Sequence, residues 1–401
     1  MSGDAALPAE AWLSALCALP GVGPARLRRL TSERTARDAW ADIGRRPGVN
    51  ARACGAPALG EEWRRARAVI DVADVWSRYQ SQGFGVVSGR HPAFPEDLRD
   101  DPDPPAVLFT DGDLTALGSL RVGVVGTRRC TRYGIDAARE LGAMLAANGI
   151  TVVSGLAAGI DAAAHAGALE AGHTAPVAVV GTALDRPYPR ANSALWRQVA
   201  REGLVCGETP LGAPAERWRF PARNRIIAGL CQVLVVVESH ETGGSLHTAA
   251  QAMERNRTVF AVPGPIRSPA SMGCNRLIAD GCLPLCELSD VMVAIGAADG
   301  ATSPQVLPVS VDPAELDLLD AVGWRPTTLD ELAALLLARP QAGSGAMRDI
   351  GDVAHRAERL VERGILARRG PWLERTATTV ICGSNDPTGD HASGSRRQRA
   401  Q

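Results

Sequence analysis

Six short apolar runs separated by helical stretches constrain this chain more than anything else in it. They are 121–126 (RVGVVG), 151–154 (TVVS), 176–180 (PVAVV), 203–207 (GLVCG), 233–237 (VLVVV) and 258–262 (TVFAV), with helical patterns such as 135–148 and 246–256 between them. A strand that is apolar at successive positions is buried on both faces. Such strands alternating with helices build a sheet wound with helices on either side. The expected fold class is therefore α/β, a doubly wound and mostly parallel sheet. Right-handed crossovers put the loop after each strand on one rim, where ligands of such sheets bind.

Four segments on that rim suit an anion. Gly126-Thr127-Arg128 follows the first strand and precedes a helix, so N–H groups of a helix start and a guanidinium meet there. A plain strand-to-helix turn accounts for the same residues. The segment 154–161 (SGLAAGID) brings Ser154 with two glycines, Gly155 and Gly159, that permit close backbone approach. Its Asp161 suits the N-cap of a helix carrying His165. No paired nucleophile is apparent, so Asp161 and His165 are read as a cap and a packed imidazole, and no catalytic residue is assigned. The third segment, 217–225 (RWRFPARNR), interleaves arginines with two aromatics and is expected to be a rim loop. Guanidiniums that hold phosphates beside an aromatic that stacks a base, for roughly 1–3 kcal/mol, suit single-stranded nucleic acid. A solvated arginine surface over buried Trp218 and Phe220 would look the same. The fourth segment, 238–245 (ESHETGGS), sets Gly243, Gly244 and Ser245 before another helix. An extended phosphate-bearing ligand is the economical explanation of all four.

Charge narrows the chemistry. The 43 basic residues of this 401-residue chain are all arginine, against 44 acidic ones. Without lysine there is neither a phosphate-loop lysine nor a Schiff base, which excludes Walker-type ATPases and pyridoxal enzymes. Phosphate has to be gripped by arginine, N–H groups or hydroxyls. Apolar residues make up 45% and charged residues 22%, ordinary for a soluble globular chain. No apolar run reaches the roughly 18–20 residues of a membrane span, and no export signal opens the sequence. A cytoplasmic protein with no membrane partner is expected. The nine cysteines form no C-x-x-C pair. Cys274, Cys282 and Cys286 lack a nearby histidine and are expected as buried free thiols, so no metal is assigned, and no cofactor.

Taken in order, VGVVGTR from Val122, T-R-Y-G, GITVVSGLAAGIDAAAHAGAL, FPARNRIIAGL, GGSLHTA, VFAVPG and GCNRLIADG resemble the DNA-processing protein A family, DprA or Smf. The resemblance spans roughly residues 84–290. It implies a Rossmann-like core that binds single-stranded DNA, pairs as a homodimer and delivers the strand to the RecA recombinase in natural transformation, with no established catalytic activity. By the same resemblance, Arg128 corresponds to an arginine on DNA phosphate, Arg223 and Asn224 to the R-N-R segment, and Phe220 to its aromatic lead-in. Gly155, Gly159, Gly243 and Ser245 correspond to positions lining the pocket. The run Gly181-Thr182-Ala183-Leu184-Asp185 departs from the family's G-x-G-[IL]-D by lacking its second glycine, which bears on the fine shape of the pocket.

The expected organisation is a helical domain over 1–82, the core over 83–295, a linker over 296–311, a winged-helix-like domain over 312–380 and a disordered tail over 381–401. Leu19-Pro20-Gly21-Val22-Gly23-Pro24 in the first of these resembles a helix-hairpin-helix within a SAM-like domain, with Arg26, Arg28 and Arg29 after it. An enzymatic alternative exists. Related nucleotide phosphoribohydrolases carry P-G-G-x-G-T-x-x-E, but here Thr248 leads into Ala249, Ala250 and Gln251, with no glutamate for glycosidic cleavage. A transcription factor reading duplex DNA through the winged helix is a third reading.

Overall fold

The computed structural model describes residues 7–296, 313–322, 327–338, 349–363 and 365–375; the expected linker beyond Gly296 and the tail 381–401 lie outside the described residues. The described residues up to 296 belong to one compact unit and those from 313 to a second.

All six apolar runs become strands of one sheet. In chain order its strands are β1 Gly85–Ser88, β2 Val107–Gly112, β3 Arg121–Val125, β4 Thr151–Ser154, β5 Val177–Val179, β6 Leu204–Gly207, β7 Val233–Val236, β8 Thr258–Ala261 and β9 Leu283–Pro284. They lie in the order β1-β2-β6-β5-β4-β3-β7-β8-β9. Every neighbouring pair from β6 to β9 is parallel, while β1 and β2 add antiparallel at the β6 edge. Alternate residues of each strand serve opposite faces. Val122, Val124, Val152 and Val235 share one apolar layer with the helices Arg132–Ala147 and Ile160–Ala171. Val153, Val179, Leu234 and Val236 share the other with Arg219–Leu230 and Gly244–Met253.

Helices between Ala9 and Ser81 close the β1–β2 end, packing Trp12, Trp40, Trp63 and Tyr79 in one cluster with Phe109 of β2. The Tyr79 and Phe109 rings stack at 5.1 Å. Here Arg26, Arg28 and Arg29 each bond to a backbone carbonyl of the protein. Arg26 donates to the Gly21 carbonyl at 2.6 Å, Arg28 to Pro104 at 3.1 Å while pairing with Asp103, and Arg29 to Cys54 at 3.3 Å.

Three local expectations are corrected. The segment 217–225 is not a loop: it is helical from Arg219, with Pro221 in the first turn, where a missing N–H breaks no bond. Asp161 is not an N-cap, because Gly159 caps that helix at φ +84°, and Asp161 lies inside its first turn. Of the three clustered cysteines only Cys274 is buried; Cys282 is half-buried and Cys286 exposed. Among the described residues no helix is long and apolar enough to cross a membrane.

In the second unit, helices Pro313–Val322, Leu329–Leu337 and Ile350–Glu362 accompany the strands β10 Thr327–Thr328, β11 Leu366–Arg369 and β12 Trp372–Arg375, ordered β10-β12-β11. Leu318, Leu332, Val353, Leu360 and Leu373 form its core. The buried Glu315 carboxylate pairs with Arg359 at 2.9 Å and Arg363 at 3.0 Å.

Candidate functional site

After β3 the chain crosses to β4 on one side, and after β7 it crosses to β8 on the other. The loops following these adjacent strands therefore part at their carboxyl ends, the place where such sheets open a crevice. Glu238, buried just after β7, holds the two loops in register. Its carbonyl accepts from the Thr127 N–H at 2.7 Å, and its carboxylate accepts from the Thr131 N–H at 2.8 Å and hydroxyl at 2.6 Å. Thr131 in turn caps the Arg132–Ala147 helix through Gly134.

The crevice is a cleft of about 620 Å³. Of the residues expected from sequence, Gly126, Thr127, Arg128, Arg217, Phe220, Arg223, Asn224, Gly243, Gly244 and Ser245 line it. Ser154, Gly155 and Gly159 do not, and each has work behind the wall. Ser154 donates to the Val124 carbonyl at 2.6 Å, tying β4 to β3. Gly155 leaves room for the Arg223 guanidinium, on which any Cβ there would fall. Gly159 supplies the left-handed turn into its helix. Ser245 is buried and spends its hydroxyl proton on Ser239 at 2.8 Å, so at that position it is the helix start that faces an anion.

Arg129, Asp161, Tyr188 and His240 also line the cleft and were not expected there. Tyr188 comes from the loop after β5, which was not matched to an anion; its Tyr-Pro pair three residues beyond Asp185 was the available signal.

The mouth and the floor differ electrostatically. Arg128, Arg129 and Arg217 are exposed and meet no carboxylate among the described residues. The Gly244–Met253 helix opens onto the same space, capped by Gly243 without a side-chain bond, so its first N–H groups add partial positive charge. Phe220 is half-buried here, with Tyr188 against its ring. Arg223, by contrast, is in the floor. It donates to the Val179 carbonyl and to Asn224 Oδ1 at 3.0 Å, and stands 3.8 Å from the Asp161 carboxylate. Burial raises the Asp161 pKa, opposed by Arg223 and by the N–H groups of Ala157, Gly126 and Gly155. Arg225 points away from the cleft into a buried pair with Glu208 at 2.6 Å, and also meets Asp103 at 2.9 Å. His165 is fully buried. Its pKa is pushed down to about 3, by burial first and the Arg223 charge second. Among the described residues no group of acidic, histidine and cysteine side chains could hold a metal.

Sheet and cleft together define an α/β protein whose arginine-lined mouth sits at the topological switch point. A model of the DNA recombination-mediator protein A family matches residues 85–296, and the chain belongs to that family. It is 42% identical over 223 residues to DNA processing protein DprA of Streptococcus pneumoniae, covering 56% of this chain and 78% of that one. Its identity to DNA processing protein DprA of Bacillus subtilis is 38% over 219 residues, 54% of this chain and 73% of the relative. The X-ray structure of DprA from Streptococcus pneumoniae superposes with a TM-score of 0.60 at 33% identity, covering 72% of this chain and 98% of that chain.

Proposed function

We propose that this protein binds single-stranded DNA in the switch-point cleft and delivers it to a RecA recombinase, in natural transformation or a related recombination process. The observation that carries the reading is the mouth itself: Arg128, Arg129 and Arg217, which meet no carboxylate among the described residues, converge with Phe220, Tyr188 and an open helix start. Guanidiniums for phosphates beside aromatics for bases are the requirements of single-strand binding. The protein works without catalysing a reaction. Asp161, the carboxylate of the cleft lining, is committed to the Gly155 N–H and to Arg223, which leaves no free base for glycosidic chemistry. It acts in the cytoplasm as a homodimer. The hairpin is a structural module, since its arginines bond within the protein. The second unit is a winged helix with β11 and β12 as its wing.

A mobility-shift comparison of single-stranded and duplex DNA at two salt concentrations tests this. Preference for the single strand with a steep salt slope supports it; equal, salt-insensitive binding overturns it. Release of adenine from AMP would restore the enzymatic alternative. Delivery is read from the rate at which RecA coats a single strand with and without the protein.

A further inference from the structure

Trp218 lies outside the cleft, although its neighbour Arg217 lines it. The indole borders a narrow crevice with Pro24, Gly181 and Ala222 instead, and is 47% exposed. Arg219 places its guanidinium 4.7 Å from the ring centroid and is itself held by Glu216 at 2.8 Å. Gly23 of the N-terminal hairpin meets the edge of the ring: a Cβ there would stand 3.1 Å from the indole Cη2. The ring is thus fixed from one face and one edge, with about half of the residue's surface open. A fixed, exposed aromatic beside Arg217, which meets no carboxylate among the described residues, is a surface on which any base can stack.

We propose that Trp218 is a second stacking platform, carrying a single strand out of the cleft past Arg217 toward the N-terminal hairpin. This rests on the single-strand reading above. Continuity and charge identify the occupant. Arg217 lines the cleft and Trp218 stands just outside it, so a strand leaving past Arg217 reaches the indole, and the flank keeps the positive charge of Arg217 because Glu216 and Arg219 cancel each other in their ion pair.

The test titrates oligothymidylates of increasing length against the full chain, its Trp218→Ala variant and its Trp218→Phe variant. Wild-type affinity should step up once the oligonucleotide outgrows the cleft, with tryptophan emission quenched over the same step. Trp218→Ala should remove the step, binding long oligonucleotides roughly 5- to 150-fold more weakly, with short-oligonucleotide affinity and melting temperature unchanged. Trp218→Phe should keep the affinity and lose the quench. Equal affinities of wild type and Trp218→Ala at every length would overturn the platform and leave the single-strand reading standing. Equal losses at all lengths would assign Trp218 to the cleft and overturn the extension. No binding by the wild type at any length would overturn the reading on which it rests.

Discussion

The guanidinium of Arg128 rests 5.6 Å from the centroid of the Phe220 ring. Tyr188 meets the same ring at 5.3 Å with the planes tilted by 48°. The aromatic expected to stack a base already carries a cation, so an incoming base must displace Arg128 or lie against it, and the two residues act as a unit.

That relationship predicts a measurable coupling. Phe220→Ala should cost about 1–3 kcal/mol of single-strand affinity without changing the salt slope, and Phe220→Tyr should largely restore it. Arg128→Ala should lower the slope by roughly 0.7, the single-strand value for one phosphate. The double variant should deviate from additivity by at least about 0.5 kcal/mol. Strict additivity in a fluorescence-anisotropy titration would mean the cation and the ring bind independently.

Arg223 behaves differently because it is floor, not mouth. Arg223→Ala strands the buried Asp161 carboxylate without its cation, and breaking a buried pair in this way costs roughly 3–5 kcal/mol of folding stability. Urea denaturation should reveal that loss. The salt slope of the remaining folded protein should stay at the wild-type value; a drop of one phosphate's worth would return Arg223 to the ligand.

His165 sets a pH dependence. Its folded pKa of about 3 lies below the ordinary 6.5, so between those values the unfolded chain binds the proton and the folded one does not. This contribution to stability is complete above pH 6.5 and is lost as pH falls, amounting to about 2 kcal/mol by pH 5. A His165→Leu variant should lack this part of the acid sensitivity. Parallel pH profiles of melting temperature for the two proteins would refute the assignment.

Two glycines should separate packing from binding. Gly155→Ala drives a methyl into the Arg223 guanidinium and should destabilise by about 1–3 kcal/mol. A Cβ on Gly244 meets nothing within 4 Å. Gly244→Ala should leave the melting temperature unchanged or slightly higher, while narrowing the approach to the helix start and weakening DNA binding. Thermal melts and titrations of both variants distinguish the two glycines.

The parallel sheet was legible because β3 to β8 are apolar at nearly every position, the mark of strands covered on both faces. β1, β2 and β9 were not singled out. β9 spans only Leu283 and Pro284, too short for any period to register, and β1 and β2 join through a proline- and aspartate-rich stretch. The cleft was legible in its loops and misread in its depth. Arg223 shares a helical stripe with Ile226, Ile227 and Leu230, all buried. That i, i+3, i+4, i+7 spacing was the clue to its burial in a segment expected to be a rim loop. Ser154, Gly155 and Gly159 were recognised by kind and placed on the wrong side of the wall, because sequence does not tell a glycine that admits a ligand from one that admits a neighbouring side chain.

Three guanidiniums ring the mouth, none of them in an ion pair among the described residues. Acetyl transfer, which cancels a cation, acts on lysine, and these cations are arginines. The attraction this mouth exerts is therefore one that acetylation cannot switch off. What can turn it down is competition, from salt or from another polyanion in the same space. A strand once held there is released by rivalry for the site, not by any editing of the arginines' charge.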